Sequence, residues 1–234
     1  MRCRFMKKIQ NILAILFAFF CIFVWLITSV QIAAYGDFDF YKREYEKYEV
    51  LSELDMEMED VMFVTTEMMD YLIGKRETLE VYTHVDGAYQ DFFNTQDRLH
   101  MEDVKHLFLS GLALRRGAFL LAILFLACIF LIKGDVQKIL ARGYLAGLGI
   151  TMLGVIILGI WVLLDFNQIF TIFHEILFTN DLWLFDPATD YMIRMLPEGF
   201  FADMAIRIGG IFILGLLLLC GVSIWSIKRG NKKN

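Results

Sequence analysis

The chain has 234 residues, 58% of them hydrophobic and 22 of them Phe, with a mean hydropathy of +0.56 and a net charge of −5. That composition excludes an ordinary soluble domain and points to a chain that lives in lipid. The acidic balance makes nucleic acid an unsuitable partner.

Four apolar runs approach or exceed the roughly 20 helical residues that cross a hydrocarbon core: 9–34, 108–132, 144–164 and 205–227. The first follows a basic leader, MRCRFMKK, but is much longer than the apolar part of a signal peptide, about 7–15 residues. An uncleaved anchor is therefore expected, although the small residues in SVQIAAYG imitate a cleavage site. Arg2, Arg4, Lys7 and Lys8 precede this run, Lys133, Lys138 and Arg142 separate the second from the third, and Lys228, Arg229, Lys232 and Lys233 follow the fourth. With four spans all of these fall on one side, the cytoplasmic one by the positive-inside rule, together with both termini.

Two outer loops remain. Residues 35–103 hold 19 acidic and six basic side chains, a net of −13, and residues 166–207 hold six and two, a net of −4. Neither contains a cysteine: Cys3 is at the inner end, and Cys21, Cys128 and Cys220 fall within spans. No disulfide framework is expected outside. With no outer thiol and no Gly-x-Ser-x-Gly around Ser29, Ser52 or Ser110, covalent Cys or Ser catalysis is not indicated there.

In the first loop, YKREYEKYEVLSELDMEMEDVMFVTTEMMDYLIG predicts helices, with Val61, Val64, Met68 and Tyr71 or Leu72 near a 3.6 period and Gly74 as a stop. LEVYTHVDGAYQDFF changes to an alternating period ahead of Asp86-Gly87, a hairpin turn pair, and predicts a small β-ribbon. His84, beside that turn, reads as a solvated loop histidine. DRLHMEDVKHLF returns to helix. His100 and Asp103 share a face there, whereas His106 points about 120° away and pairs with Glu102. For His100 with Asp103 two readings stay open, an oriented imidazole or a surface ion pair of little consequence.

After the third span, FNQIFTIFHEILF surrounds Asn167 and His174 with phenylalanines, a composition suited to the membrane interface. Asn180-Asp181 predicts a turn, Asp186-Pro187 an N-cap followed by proline at the first helical position, and Pro197 the end of a short helix over 187–196. Helix capping accounts for Asp186, Pro187 and Pro197. It does not account for His174 beside Glu175 among aromatic rings, where an ionisable group is costly without a task. There is no His-Glu-x-x-His, since Leu177 and Phe178 stand where a second histidine would fall, so no metal is expected. The GYLAG run from Gly143 to Gly147 has the small-xxx-small spacing of packed membrane helices.

FHEILFTNDLWLFDPATDYMIRMLPEGFFAD, with RLHMEDVKHLF ahead of the second span and the four-span layout, resembles the lipoprotein intramolecular transacylases of Gram-positive bacteria over nearly the whole chain. The resemblance implies an all-α protein of the bacterial cytoplasmic membrane: four transmembrane helices, a mainly helical extracytoplasmic region and a small β-hairpin. The apolar runs and the loops between them divide the chain into 1–34, 35–107, 108–165, 166–204 and 205–234. The resemblance implies an enzyme at the outer face that moves an acyl chain from the sn-2 oxygen of the diacylglyceryl group on a lipoprotein's N-terminal cysteine to that cysteine's α-amino group. The partners so implied are diacylglyceryl-modified lipoproteins and membrane lipid, with no cofactor. By motif position the catalytic histidines are His100 and His174, with His174 assigned as general base, His100 as its partner and Asp103 orienting His100. Asn180, Trp183 and Asp186 are expected to shape the site. Arg115 and Arg116 either contact headgroups and the ester region or snorkel to the interface.

A non-enzymatic scaffold or sensor with an acidic outer surface is the competing expectation. Transport is disfavoured because no span carries a row of polar groups.

Overall fold

The computed structural model describes residues 2–132 and 135–231. Lys133, Lys232 and Lys233, used above for orientation, lie outside the described residues, as do the side chains of Arg2, Cys3 and Arg4. In chain order the elements are α1 (Arg2–Tyr35), α2 (Asp39–Lys47), α3 (Val50–Leu54), α4 (Met58–Leu72), β1 (Tyr82–Val85), β2 (Ala88–Asp91), α5 (Thr95–Leu131), α6 (Val136–Leu164), α7 (Phe166–Leu177), α8 (Tyr191–Met195) and α9 (Glu198–Asn231). Four helical stretches, Met6–Tyr35, Thr95–Leu131, Val136–Leu164 and Glu198–Arg229, are long and apolar enough to cross a membrane. At about 1.5 Å per residue, the 37-residue α5 is far longer than a hydrocarbon core of about 30 Å. It begins at Thr95, well ahead of the apolar run at Phe108, so His100 and Asp103 ride on a polar extension of a membrane helix.

The chain forms two units. The first comprises Met1–Ala33, Ala113–Leu163 and Arg207–Asn234. Leucines such as Leu120, Leu131 and Leu163 face outward, as lipid-facing side chains do. Its interior depends on small residues. A Cβ added at Gly143 would lie 2.5 Å from the Cβ of Ala14 and 2.7 Å from its carbonyl oxygen, and one at Gly147 would lie 3.2 Å from the Cβ of Ala18. The Gly143–Gly147 spacing thus meets an equal Ala14–Ala18 spacing on α1, and the two backbones touch. Polar side chains in this unit reach backbone carbonyls: Trp25 Nε1 donates to Phe212 at 3.0 Å and the Tyr144 hydroxyl to Leu216 at 2.7 Å. Such bonds matter where water is absent.

The second unit comprises Ala34–Leu112 and Leu164–Ile206. The helices α2, α3 and α4 turn apolar faces into a core that includes Tyr45, Val50, Leu54, Val61, Val64, Phe92, Phe93 and Met195. The Tyr45 hydroxyl is satisfied within it by Thr65 Oγ1 at 2.6 Å. Gly74, at φ +77°, ends α4 as expected, and Lys75 N–H bonds back to the Asp70 carbonyl at 2.9 Å. The β-ribbon forms where the alternation placed it, with Val85 opposite Ala88. Asp86 and Gly87 at φ 50° and 71° make a turn with both central residues left-handed.

One expected element is corrected. Residues 187–196 do not form a single helix: α8 spans only Tyr191–Met195. Asp186 closes a turn instead, its carboxylate accepting from Ala188 N–H at 2.9 Å and its carbonyl from Thr189 and Asp190 N–H. Asp165 breaks the chain between α6 and α7. It has φ −155° and ψ 85°, and it caps α7 by accepting Gln168 N–H at 2.9 Å.

Candidate active site

His100 lies in the second turn of α5, whose start is fixed by a reciprocal capping pair. Asn94 Oδ1 accepts from Asp97 N–H at 2.9 Å while Asp97 Oδ2 accepts from Asn94 N–H at 3.0 Å. His174 lies in the last turn of α7. The two imidazoles come together, ring centroids 6.1 Å apart and planes 26° from parallel, with only 6% and 7% of each residue exposed.

Aromatic rings close around them. Phe178 and Phe185 each stand 5.2 Å from His100, and Phe170 stands 4.3 Å from His174. Trp183 stacks on His174 at 4.9 Å and 29°. This apolar wrapping disfavours charge on either ring. Burial, reinforced by the neighbouring His174 and partly offset by Asp103, pushes His100 down to about 4. Burial also pushes His174 below the usual histidine range, against the opposing pull of its bond to Phe170. Both rings are therefore neutral near pH 7.

The tautomer of His174 follows from one contact. Its Nδ1 is 2.7 Å from the carbonyl oxygen of Phe170, one helical turn earlier. A carbonyl can only accept, so Nδ1 carries the hydrogen and Nε2 keeps its lone pair. His100 differs, because its buried Nδ1 has no hydrogen-bond partner among the described residues.

The remaining expected site residues divide. Asp103 makes no hydrogen bond to His100 among the described residues. Its carboxylate accepts instead from Asn180 Nδ2 at 2.9 Å, while Asn180 Oδ1 accepts from Leu182 N–H at 3.1 Å. Asp103 thus positions the turn that precedes Trp183. Asp186 forms the turn after Phe185. Arg115 and Arg116 belong to the other unit. Arg115 is half-buried and donates to Gln31 Oε1 at 2.5 Å, while Arg116 is exposed. His84 and His106 are exposed, the latter 4.0 Å from Glu102. Among the described residues no three His, Cys, Asp or Glu side chains gather as a metal site.

Sequence reasoning passed over the residues that hold the segment 182–190 in place. Asp190, 3% exposed, accepts from Asn94 Nδ2 at 2.5 Å and from Asp186 N–H at 2.7 Å. Gln96 donates to the carbonyls of Leu182 and Leu184. Both tie the strip bearing Trp183 and Phe185 to the first turn of α5. The Asn-x-x-Asp spacing at Asn94 was the legible signal for that helix start; the tie to Asp190 had none.

The family model described as "Lipoprotein intramolecular transacylase Lit" matches residues 15–201. The chain belongs to the Lit family. Membership makes this multi-pass membrane protein an acyltransferase of lipoproteins. No curated protein matches the chain. Among solved structures, the in meso structure of the membrane-integral Lit from Bacillus cereus is 22% identical, with a TM-score of 0.79 over 96% of this chain and 99% of that one. The same Bacillus cereus protein with a histidine-to-alanine mutation is 22% identical, with a TM-score of 0.76 over 99% of this chain and 100% of that one. These likenesses establish that the Lit fold is this chain's fold.

Proposed function

We propose that this Lit-family chain transfers the sn-2 acyl group of a lipoprotein's diacylglyceryl-cysteine to the α-amino group of the same cysteine. The observation that carries the reading is the unprotonated Nε2 of His174 in a neutral, aromatic-walled pair with His100. The free amine attacks the ester carbonyl, a C–N bond forms, and the sn-2 C–O bond breaks. The proton leaving nitrogen passes to His174 Nε2 and from there to the departing glyceryl oxygen, so amide and alcohol form with no net change at the enzyme. His100, with its unpartnered Nδ1, is assigned to stabilise the tetrahedral oxyanion or to relay the proton. Because both ends of the shift belong to one molecule, effective molarity supplies much of the acceleration, and no acyl-enzyme is needed. No cofactor enters the scheme.

Four spans and the Lys and Arg distribution support cytoplasmic termini and a site on the outer face, on segments 35–107 and 166–204. Segments 1–34, 108–165 and 205–234 then carry the spans. Arg116, and Arg115 with its Gln31 partner, are assigned to lipid headgroups at the outer interface.

Expression in a bacterial host lacking N-acylation tests this directly. Mass spectrometry of lipoprotein N-termini is expected to reveal an N-acyl, S-monoacylglyceryl cysteine. Unchanged diacylglyceryl cysteine on expression rejects the transfer. Loss of function from changes in the acidic helices, with His100→Ala and His174→Ala silent, favours the scaffold reading instead.

A further inference from the structure

Two open grooves flank Trp183 in the second unit. One, of about 390 Å³, is walled by Phe170, Trp183, Phe185, Ile193 and Phe201. Polar side chains share this lining: Asn167 and Glu198 bond to each other at 2.9 Å, Asp186 accepts from Ala188 N–H at 2.9 Å, and Thr171 completes the set, so the apolar character comes from the aromatic and aliphatic walls. The other, of about 560 Å³, is lined by Glu175, Thr179, Asn180 and Asp181 around Phe178 and Trp183. Both volumes are those of small-molecule sites, about 300–1,000 Å³.

We propose that Trp183 is the partition between two substrate subsites, the apolar groove for the acyl chain under transfer and the acidic groove for the lipoprotein's amino end. This rests on the transacylase reading above. The two parts of the substrate have opposed chemistry. A hydrocarbon chain gains by leaving water for the phenylalanine-lined groove. An α-amino group, with a pKa near 8, arrives mostly as ammonium, is drawn to the carboxylates of Glu175 and Asp181, and gives up its extra proton to solvent in this open groove before the free amine attacks. Both parts hang from one short glyceryl-cysteine stem, so ester and amine must meet beside a single imidazole. The indole of Trp183 walls both grooves and stacks on His174, so that imidazole lies directly behind the wall the two grooves share.

The test measures kcat/KM on purified chain in micelles with synthetic diacylglyceryl-cysteine peptides. These vary independently in sn-2 chain length and in the charge of the residue after cysteine. Ratios taken on one protein preparation cancel its active fraction, so partial misfolding does not obscure them. Ile193→Trp, which fills the apolar groove, is expected to cut the long-to-short chain ratio about tenfold, the scale of pocket-size discrimination, and to leave the peptide-charge ratio unchanged. Asp181→Asn combined with Glu175→Gln is expected to lower the preference for a basic over an acidic peptide a few-fold, with chain-length selection intact. Trp183→Ala is expected to flatten both ratios. An active wild type whose ratios are unmoved by Trp183→Ala, or Ile193→Trp acting on peptide charge rather than chain length, overturns the partition alone. A wild type that turns over none of the peptides removes the transacylase reading and the partition with it.

Discussion

His174→Ala is expected to lower the rate of N-acyl product formation by 10²–10⁴-fold, about 3–5 kcal/mol in the barrier, the usual contribution of one positioned proton carrier. The size follows from how completely the surroundings commit this ring. The Phe170 carbonyl holds its Nδ1–H, Trp183 stacks on its face, and burial keeps it uncharged, so Nε2 is the basic atom it offers. Alanine removes that atom and leaves the carbonyl of Phe170 with its ordinary helical bond. The loss should appear in turnover well beyond any stability cost of the space alanine leaves among Phe170, Phe178 and Trp183, and His174→Gln, which fills more of that space, should lose turnover as well. Discontinuous assay of lipopeptide products by mass spectrometry, with a melting curve on the same preparation, separates the two. Near wild-type turnover in a folded His174→Ala protein would remove this residue from the reaction.

Gly143→Leu is expected to lower the stability of the transmembrane unit by about 2 kcal/mol or more, the upper range for over-packing. The obstruction at Gly143 is the backbone of Ala14, with its carbonyl carbon 2.6 Å from an added Cβ, and no side-chain rotation relieves it. The helices α1 and α6 would have to separate and lose the close contact that drives association in lipid, where no hydrophobic effect operates between helices. Gly149→Leu provides the contrast, since a Cβ there meets nothing within 4 Å. Thermal unfolding in micelles should rank Gly143→Leu well below Gly149→Leu. Equal midpoints would contradict the packing described for these helices.

What could be read from the sequence was local. The four apolar runs, the Asp86-Gly87 turn and the Gly74 stop each depend on neighbouring residues, and each took the expected form. The helix expected over 187–196 shortened because Asp190 spends its carboxylate on Asn94 and on Asp186 N–H, nearly a hundred residues of chain away in the first case. No periodicity encodes such a bond. Likewise Asp103 and His100 do share a face of α5, yet spacing along one helix could not reveal that Asn180 would take the carboxylate. His100 and His174 were paired by family resemblance. Their separation, the bond to Phe170 and the indole of Trp183 are tertiary facts. The aromatic abundance of 166–178 was visible, but which rings face the histidines was not.

The most direct test of the chemistry is nitrogen NMR of the four histidines in protein labelled at the imidazoles, assigned with His100→Gln and His174→Gln and followed from pH 8 downward. His174 should carry its hydrogen on Nδ1, with an unprotonated Nε2, and stay uncharged below the ordinary histidine midpoint of about 6.5. His100 should stay neutral to lower pH still. A His174 signal typical of imidazolium at neutral pH, or one with the hydrogen on Nε2, would contradict the account.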